Sequence, residues 1–269
     1  MSPNPVALVT GASSGIGRAS AIRLASAGLT VFGTSRAPAT APPLPGVTLL
    51  PLDVADDASV AACVQSVVAQ AGRLDVLVNN AGVAVMGAVE ETPLALARQQ
   101  FETNFFGVIR VTQAALPVMR RQRSGCIINM SSIAGLVPMP FGGLYSASKY
   151  ALEGLTEVLR AEVAALGIRV ALVEPGFFKS ELVAEASAGA STIEDYGPAR
   201  ERMLSRVRAI EAAAPPPTAV ADLVLRLAQH PAPPLRNPVG KERIFATLKR
   251  FLPAAMFEPR VQKYWRVSA

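Results

Sequence analysis

The sequence predicts one α/β domain in which a doubly wound parallel sheet carries helices on both faces. Short apolar runs rich in Val, Leu and Ile alternate with longer segments of helical period, which is the pattern of successive βαβ units. Of the 269 residues, 51% are hydrophobic and 17% are charged, so the chain can bury a large core. Because the alternation never lapses for long, we expect a single domain over residues 1–269.

The strands and helices are expected in a regular order along the chain. A Pro-rich stretch over residues 37–46 lies between two strands and is expected to be a surface loop. The expected strands cover residues 6–10, 30–35, 47–50, 76–79, 125–131 and 168–173. The expected helices cover residues 15–27, 58–71, 94–121 (with a break near Asn104) and 145–166.

Cysteine, charge and hydropathy patterns exclude several classes of protein. Cys63 and Cys126 stand far apart with no CxxC pair or His cluster, so we expect no disulfide framework, no metal site and a reducing, cytoplasmic location. No signal peptide or membrane-spanning stretch is apparent. The formal net charge of +6 arises in residues 200–269, which hold 13 basic and 5 acidic residues. These charges are dispersed along helical segments, so we expect a solvated helix face and no nucleic-acid partner.

A glycine-rich run follows the first strand and opens the first helix. It is Thr10-Gly11-Ala12-Ser13-Ser14-Gly15-Ile16-Gly17, with the spacing GxxxGxG. Glycines let the backbone approach a pyrophosphate closely, and the N–H groups at the start of a helix favour its negative charge. The alternative is that the glycines only make a tight turn. We expect the run to bind a dinucleotide.

The end of the second strand predicts which dinucleotide binds. An Asp or Glu there would accept hydrogen bonds from the adenosine ribose, but the strand ends Gly33-Thr34-Ser35-Arg36. The planar guanidinium of Arg36 can hold a 2′-phosphate, and no carboxylate repels that phosphate. NADP is therefore favoured over NAD. The alternative is that Arg36, like Arg18, is an exposed surface arginine, which would leave the choice open.

Two further strand ends offer polar groups to the cofactor. Asp53, followed by Val54, can accept a hydrogen bond from the adenine amino group or can cap the next helix. The run Asn79-Asn80-Ala81-Gly82 ends the fourth strand. Its small residues and amides suit a backbone that passes tightly under a ligand, and they also suit a plain turn.

Tyr145 and Lys149 are the candidate general acid/base pair. They are four residues apart at the start of a helical segment, so both project from one face, and the residues between them are small. A neighbouring ammonium should lower the pKa of the phenol, which is about 10 when unperturbed. Such a pair can work as a general acid and base near neutral pH.

Taken together, these motifs resemble those of the short-chain dehydrogenase/reductase family. The resemblance implies a Rossmann-type fold and an NADP-preferring oxidoreductase, such as a carbonyl reductase, that moves a hydride between nicotinamide C4 and a carbonyl carbon. The matches in order and spacing, over about residues 5–182, are the glycine run, the NNAG run at 79–82, Asn104, Ser132 thirteen residues before Tyr145, the YxxxK pair and Pro175-Gly176.

The resemblance also implies a role for each motif residue. Tyr145 would exchange the proton, while Lys149 would lower its pKa and bind the nicotinamide ribose. Ser132 would bond the substrate oxygen, Asn104 would hold a water that links Lys149 to solvent, and Ser180 would reach the nicotinamide carboxamide. The expected cofactor contacts are Gly11, Ser13, Ser14, Gly15, Ile16, Gly17, Ser35, Arg36, Asp53, Val54, Asn80, Ala81, Gly82, Tyr145, Lys149, Pro175, Gly176, Phe178 and Ser180.

Apolar residues dominate the segments expected to line the substrate. Ligands bind beyond the carboxyl ends of the strands in a doubly wound sheet, which places residues 83–86, 137–144 and the segment after Gly176 around the substrate. A small hydrophobic ketone, aldehyde or alcohol is therefore expected. Residues 181–212 lose the regular pattern and are expected to form a lid, with a permanently docked helical pair as the alternative. The candidate substrate contacts are Ser132, Met139, Phe141, Leu144 and Phe177.

The segment 241–269 extends beyond the family's common core and mixes aromatic with basic residues. A basic amphipathic helix can lie on an anionic membrane, but we favour docking of this segment on the body of the protein or on another subunit. The resemblance implies a homodimer or homotetramer built through the helices at 94–121 and 145–166.

Two other functions stay open. An acyl-carrier-bound 3-oxoacyl reductase would use Arg120, Arg121 and Arg123 to grip an acidic carrier, although the helix dipole also stabilises cations at a helix C-terminus. A non-catalytic dinucleotide-sensing scaffold would be favoured by loss of the serine, tyrosine or lysine, and all three are present. His230, in a Pro-rich stretch, is expected to be a surface residue without a catalytic role.

Overall fold

The apolar runs of the sequence form the strands of a seven-stranded parallel sheet in the computed structural model, which describes residues 4–180, 182, 187–188 and 192–266. The sheet order is β3-β2-β1-β4-β6-β7-β9, and β5 pairs with β8 in a small separate sheet. In chain order, the strands are β1 Val6–Val9, β2 Thr30–Ser35, β3 Val47–Pro51, β4 Val76–Asn79, β5 Val85–Met86, β6 Gly125–Met130, β7 Ile168–Pro175, β8 Ser187–Ala188 and β9 Pro238–Val239.

Helices cover both faces of the sheet, as a doubly wound fold requires. Successive residues of β1 point to opposite faces: Leu8 packs with α2 and α4 on one face, and Val9 packs with α1 and α7 on the other. The helices are α1 Gly15–Ser26, α2 Asp57–Ala71, α3 Leu94–Phe101, α4 Gly107–Gln122, α5 Gly143–Val163, α6 Gly197–Ala212, α7 Thr218–Gln229, α8 Arg243–Phe251 and α9 Ala254–Trp265. The predicted fold class is confirmed.

The predicted break near Asn104 is a single turn of π-helix. Glu102–Phe106 adopts this wider turn between α3 and α4, and Asn104 is fully buried within it. Such turns insert an extra residue into a helix and often occur at functional sites. The turn therefore aims Asn104 inward, toward the carboxyl ends of the strands.

Sequence reasoning did not find the elements that follow β7, apart from the helical pattern that becomes α6. Residues 231–234 are a Pro-rich stretch, yet the chain re-enters the sheet directly afterwards, where β9 pairs with Glu174 and Pro175 of β7. Helix α7 packs on α1 through fully buried Val220 and Val224. A two-residue edge strand has no periodicity of its own, so only its pairing partner defines it.

The sheet places the site at the point where the strand order reverses. From β1 the chain runs outward to β2 and β3, then crosses back so that β4 lies on the other side of β1. The carboxyl ends of β1 and β4 therefore border a crevice, which is where ligands bind in open parallel sheets. Within the described part of the chain, no helix combines the length and the apolarity needed to cross a membrane.

The two cysteines are free and buried on opposite faces of the sheet. Cys63 lies on α2 and Cys126 on β6. Burial raises the pKa of both thiols to about 11, because a thiolate loses its hydration in the core. Both side chains therefore act as small core residues.

Candidate active site

The glycine run forms a cradle between β1 and α1 that has the shape a pyrophosphate needs. Gly11 and Gly15 have positive φ angles of 65° and 51°, which favour glycine. A Cβ added at Gly17 would lie only 2.1 Å from the carbonyl oxygen of Gly11. Ser14 precedes α1 without capping it through its side chain, so the first N–H groups of the helix face the cradle. A dinucleotide fits this loop.

Asn80 and Thr10 tie the cradle to the end of β4. The Asn80 side chain donates to the carbonyl oxygens of Thr10, at 2.9 Å, and Gly11, at 3.1 Å. The Thr10 hydroxyl accepts from the backbone N–H groups of Asn80, at 2.9 Å, and Ala81, at 3.0 Å. The NNAG run is therefore more than a plain turn, because it fixes the backbone that would lie under the cofactor.

The adenosine end of the cavity is lined by the residues predicted for it. Ser35, Arg36, Asp53 and Val54 all face this end of the cavity. Arg36 is exposed and has no ion-pair or hydrogen-bond partner among the described residues. Its guanidinium can therefore turn toward an anion.

Arg18 and Asp53 resolve two alternatives left open by the sequence. Arg18 lies outside the cavity lining and donates to the carbonyl oxygens of Pro42 and Pro43. The cap of α2 is Asp56, whose carboxylate accepts from the backbone N–H of Ser59 at 2.6 Å. The Asp53 carboxylate accepts from the N–H of Ala55 at 2.9 Å and from no N–H of α2 in the described chain, so it is not the helix cap.

Ser132, Tyr145 and Lys149 come together at the carboxyl end of β6. Tyr145 and Lys149 occupy one face of α5, with 8% and 5% of their surfaces exposed, and a hydrogen bond joins the side chains of Tyr145 and Ser132. The Lys149 ammonium donates to the carbonyl oxygen of Met130 at 2.8 Å. It lies 5.8 Å from the centroid of the Tyr145 ring. A proton donor, a second hydroxyl and a cation thus line one cavity.

The predicted lowering of the Tyr145 pKa is wrong for this structure. Burial raises the pKa of the phenol, and the hydrogen bond from Ser132 opposes only part of that effect. Burial also lowers the pKa of Lys149 to about 8, against the effect of the Glu153 charge. The prediction failed because it counted the neighbouring charge and left out desolvation, which dominates for two fully enclosed groups.

Asn104 lies behind the cavity wall. Its amide oxygen accepts from the N–H of Val83 at 2.8 Å, and its amide nitrogen donates to the carbonyl oxygen of Val83 at 2.9 Å. A Cβ at Gly82 would lie 3.3 Å from the Asn104 amide oxygen and 3.9 Å from the Lys149 ammonium. Asn104 and Lys149 therefore approach Gly82 closely from two directions, and there is little room for a side chain at this position.

Two buried carboxylates beneath Lys149 were missed by sequence reasoning. Glu153 follows Lys149 by one helical turn and accepts from the Arg236 guanidinium at 2.9 Å. Glu174 of β7 is fully buried and accepts from the N–H of Asn237 at 2.6 Å. Burial, aided by the Glu153 charge, raises the pKa of Glu174 to about 8. Periodicity offered no signal for them, because Glu153 lay inside a predicted helix and Glu174 followed the last residue of a predicted strand.

The substrate end of the cavity is mainly apolar, and its lining residues come from distant segments of the chain. The cavity has a volume of about 430 Å³ and is lined by every predicted cofactor contact, and also by Ser132, Met139 and Phe177. Phe141 and Leu144 do not line it: Phe141 packs edge-on against the Tyr196 ring at 6.4 Å, and Leu144 is half-buried on α5. Among the lining residues that sequence reasoning did not assign, those from the C-terminal segment are Glu242, Phe245, Val261, Tyr264 and Trp265, while Glu211 lies in the predicted lid.

The C-terminal helices close the substrate end by docking on the body of the protein. Trp265 is 7% exposed and packs on Phe177, with 6.0 Å between ring centroids. Phe257 is buried against Ile133 and Val137. The predicted docking of the tail on the body is therefore seen within one chain, for the residues of the tail that the structure describes.

The segment predicted as a lid lies beside these helices. Residues 181, 183–186 and 189–191 lie outside the described part of the chain. Strand β8 pairs with β5, and α6 buries Met203 and Val207 against Trp265. Arg200 of α6 forms an ion pair with the buried carboxylate of Glu91.

The arginines proposed to grip an acyl carrier, Arg120, Arg121 and Arg123, lie away from the cavity, as does His230. Arg123 ends α4 in a left-handed conformation and donates to the carbonyl oxygen of Ala165. Arg120, Arg121 and Arg123 lie just before β6 begins. They are therefore at the amino ends of the strands, whereas the cavity lies at the carboxyl ends. His230 is exposed at the end of α7, as predicted.

A phosphate cradle joined to a half-buried serine and a buried tyrosine and lysine on a doubly wound sheet defines a dinucleotide-dependent oxidoreductase. The chain belongs to the short chain dehydrogenase family, whose sequence pattern matches residues 5–191. It is similar to a 3-ketodihydrosphingosine reductase from Bacteroides thetaiotaomicron, with 36% identity over 266 residues that cover 97% of this chain and 98% of that protein. It also shares 42% identity with retinol dehydrogenase 8 of Bos taurus over 151 residues, 56% of this chain and 48% of that protein.

Solved structures share the fold and differ in the cofactor they hold. A short-chain dehydrogenase from Streptomyces avermitilis matches with a TM-score of 0.79 and 34% identity, covering 99% of this chain and 98% of that one. A Burkholderia phymatum short chain dehydrogenase/reductase in complex with NAD matches with a TM-score of 0.77, 27% identity and 92% coverage of both chains. ElxO with NADP bound has a TM-score of 0.72 and 29% identity, covering 88% of this chain and 97% of that one.

Proposed function

We propose that the protein is an NADP(H)-dependent oxidoreductase that interconverts a hydrophobic ketone or aldehyde and its alcohol. The observation that carries this proposal is the single cavity in which Ser132, Tyr145 and Lys149 lie between the glycine cradle and an apolar pocket. A bound nicotinamide cofactor would supply or accept the hydride. The chain's own residues then handle the substrate oxygen and its proton.

In the direction of reduction, Tyr145 gives its phenolic proton to the carbonyl oxygen of the substrate. Ser132, already hydrogen-bonded to Tyr145, holds the same oxygen. The high pKa that burial gives the phenol keeps it protonated, which suits an acid that must deliver its proton. Lys149 places a positive charge beside the phenolate that remains, and it binds the nicotinamide ribose.

After the transfer, Tyr145 must regain a proton from solvent, and the path for that proton would pass by Lys149. The Asn104 amide oxygen and the Lys149 ammonium both border Gly82, so a water held there would connect Lys149 to solvent. Because Asn104 is fixed by both polar groups of Val83, its amide orientation is defined. Asn104 is thus a positioning residue that acts through Lys149.

The cofactor preference rests on Arg36 and Ser35. Arg36 lines the adenosine end without a competing partner in the described chain, and Ser35 stands where NAD-preferring sites carry an acid. A 2′-phosphate gains the guanidinium and meets no carboxylate on β2. Asp53 lines the same end of the cavity, where its carboxylate would accept a hydrogen bond from the adenine amino group.

The substrate pocket supports a long apolar substrate. Its walls are mainly aromatic and aliphatic, and the similarity to the 3-ketodihydrosphingosine reductase covers 97% of this chain, which takes in most of the tail that forms part of these walls. Glu211 and Glu242 line the same cavity, and either carboxylate would favour an amino group on the substrate. A long-chain amino ketone is therefore the first substrate to test.

Residues 181–212 are proposed to act as a lid over this pocket. Leu182 lines the cavity, and the ion pair between Arg200 and Glu91 holds the start of α6 to the body. Hydrogen exchange of the full protein, with and without NADPH and substrate, tests this. Strong protection that does not change on binding would identify a fixed wall instead.

The proposal also includes an oligomeric state and a cellular location. A homodimer or homotetramer would form through α4 and α5, where Phe106 beside α4 and Val158 on α5 are 45% and 57% exposed. The two buried, free thiols suit a reducing cytoplasm. An acyl-carrier partner is less favoured, because Arg120 and Arg121 lie at the sheet edge away from the cavity.

The test of the proposed function is NADPH oxidation with a panel of carbonyl compounds. The panel should contain long-chain amino ketones, retinoid aldehydes, short water-soluble ketones and 3-oxoacyl thioesters. We expect turnover to rise with the length of the apolar chain. Turnover with acyl thioesters alone would support the acyl-carrier function, and tight NADPH binding without turnover of any compound would support the sensing scaffold.

A further inference from the structure

The outer faces of α8 and α9 carry a large basic and apolar surface. Their inner faces pack on the body through Phe245, Phe257 and Trp265, whereas their outer faces are open. On α8, Ile244 and Phe251 are 51% and 74% exposed. These two residues are seven apart in a helix, so they share one face and form an apolar stripe away from the core.

Positive charge surrounds this stripe. Residues 241–266 contain seven basic and two acidic residues, and one of the two acids, Glu242, is buried. The exposed cations are Lys241, Arg243, Arg250, Arg260, Lys263 and Arg266, together with Lys249, whose ammonium donates to the carbonyl oxygen of Leu136 at 2.7 Å. Most of the +6 net charge of the protein thus lies on α8, α9 and the residues that flank them, whose exposed surface we call the α8–α9 face.

A second cavity opens beside the α8–α9 face. It has a volume of about 450 Å³ and is lined by exposed Lys241 and Ile244 at its outer edge. At its inner edge, it is lined by Phe177, Glu242, Phe245 and Tyr264, which also line the main cavity. An apolar molecule that enters beside Ile244 would therefore meet the walls of the substrate pocket.

We propose that the α8–α9 face docks on an anionic lipid bilayer, with Ile244 and Phe251 entering the headgroup region and the surrounding lysines and arginines facing lipid phosphates. Each cation near such a surface strengthens binding to anionic lipid, and exposed apolar side chains add to this. The second cavity would then open at the membrane surface. Its use as an entry path for a lipid substrate rests on the proposed function, whereas docking itself does not.

The apolar stripe distinguishes a bilayer from other anionic partners. Nucleic acid would use the arginines and lysines but would leave Ile244 and Phe251 in water. A second copy of this chain would bring the same positive charge to the contact, which opposes pairing of the face with itself. A bilayer that contains anionic lipid satisfies both the charges and the exposed apolar residues.

Flotation of the full-length protein with vesicles tests the proposal. Vesicles of phosphatidylcholine alone are compared with vesicles that also contain phosphatidylglycerol, without cofactor or substrate. We expect binding only to the anionic vesicles, and weaker binding as salt rises. The pair Arg243→Glu with Arg250→Glu, and separately the pair Ile244→Ser with Phe251→Ser, should each weaken binding about tenfold or more.

Matched controls use the same changes elsewhere on the surface. Arg120→Glu with Arg121→Glu repeats the charge reversal at the end of α4, and Val89→Ser with Leu94→Ser removes two residues that are each 70% exposed. Both controls should float like the wild type. NADPH binding and the melting temperature confirm that each variant is folded.

Three outcomes would overturn the proposal. Wild-type protein that ignores anionic vesicles excludes docking. Vesicle binding that survives Ile244→Ser with Phe251→Ser, combined with equal binding to an RNA homopolymer, identifies a general polyanion surface. An oligomer in sedimentation that these variants dissociate, with no vesicle binding, identifies the face as a contact between copies. None of these readouts depends on turnover, so each can fail while the proposed function stands.

Discussion

The cofactor half and the substrate half of the cavity are built in different ways. In the cofactor half, the backbone itself forms the surface, and a side chain on Gly17 would collide with the carbonyl oxygen of Gly11. In the substrate half, side chains form the surface, and Met139, Phe177 and Trp265 come from three distant parts of the chain. A backbone surface permits very few residue types at each position, whereas a side-chain surface needs only apolar volume. The first half therefore fixes the chemistry, and the second can vary the substrate.

Tyr145 stands where the two halves meet, and its removal should have the largest effect. We expect Tyr145→Phe to lower kcat by about a hundredfold to ten-thousandfold, because only the proton donor is lost. The NADPH dissociation constant should stay near that of the wild type, since the ring is kept. Stopped-flow and fluorescence titration measure the two quantities. Substantial turnover by this variant would show that another group is the acid.

The second prediction tests whether two residues of the cofactor half, Ser35 and Arg36, decide between NADPH and NADH. Replacing Ser35→Asp together with Arg36→Ala should turn preference from NADPH toward NADH by about a hundredfold, since a carboxylate accepts the ribose hydroxyls and repels a phosphate. Arg18→Ala removes the same charge outside the cavity and should leave the preference unchanged. Wild-type protein that binds NADH more tightly than NADPH would contradict the role of Arg36.

The same contrast explains how much of the molecule the sequence could predict. The strands of the main sheet up to β7, the glycine cradle and the Ser132, Tyr145 and Lys149 positions follow from local patterns, because each needs particular residues at a fixed spacing, whereas the short strand β5 was not predicted. The walls formed by Tyr264 and Trp265 follow from no local pattern. They reach the cavity only because α8 and α9 fold back over it, and that path is set by long-range packing.

The pKa shifts within the site could not be predicted from local sequence patterns either. The YxxxK spacing puts a cation beside Tyr145, but whether charge or burial controls the pKa depends on how completely the surrounding chain excludes water. Glu153 and Glu174 are close because α5 packs on β7, and a distant segment brings Arg236 to Glu153 and Asn237 to Glu174. Sequence spacing says nothing about that contact.

Trp265 tests whether the substrate half can change without the cofactor half. We expect Trp265→Ala to raise KM for a long-chain ketone about tenfold or more, because an indole that lines the pocket is lost. The KM of a short water-soluble ketone and the NADPH dissociation constant should change little. Trp265→Phe should restore most of the long-chain KM. An equal rise in KM for short and long substrates would instead indicate general loss of packing.

The smallest expected effect is a shift in pH dependence, which tests whether the buried carboxylates below the site act on its chemistry. Burial lowers the pKa of Lys149 to about 8, and the Glu153 charge opposes that lowering. Activity that needs the ammonium form should therefore fall as pH rises through this region. Glu153→Gln removes the opposing charge, so the pKa of Lys149 drops further and the falling limb of the kcat profile moves to lower pH.

The groups around Glu153 define the control for this shift. Lys149 and Glu157 lie on the same helix, Glu174 faces Glu153 from β7, and Arg236 bonds both Glu153 and Glu157. Glu157 has a side chain that is 60% exposed, so Glu157→Gln disturbs the same arginine while leaving the buried charge in place. Its profile should match that of the wild type. A Glu153→Gln limb that stays in place, or moves to higher pH, would show that Glu153 supports the fold of α5 without acting on Lys149.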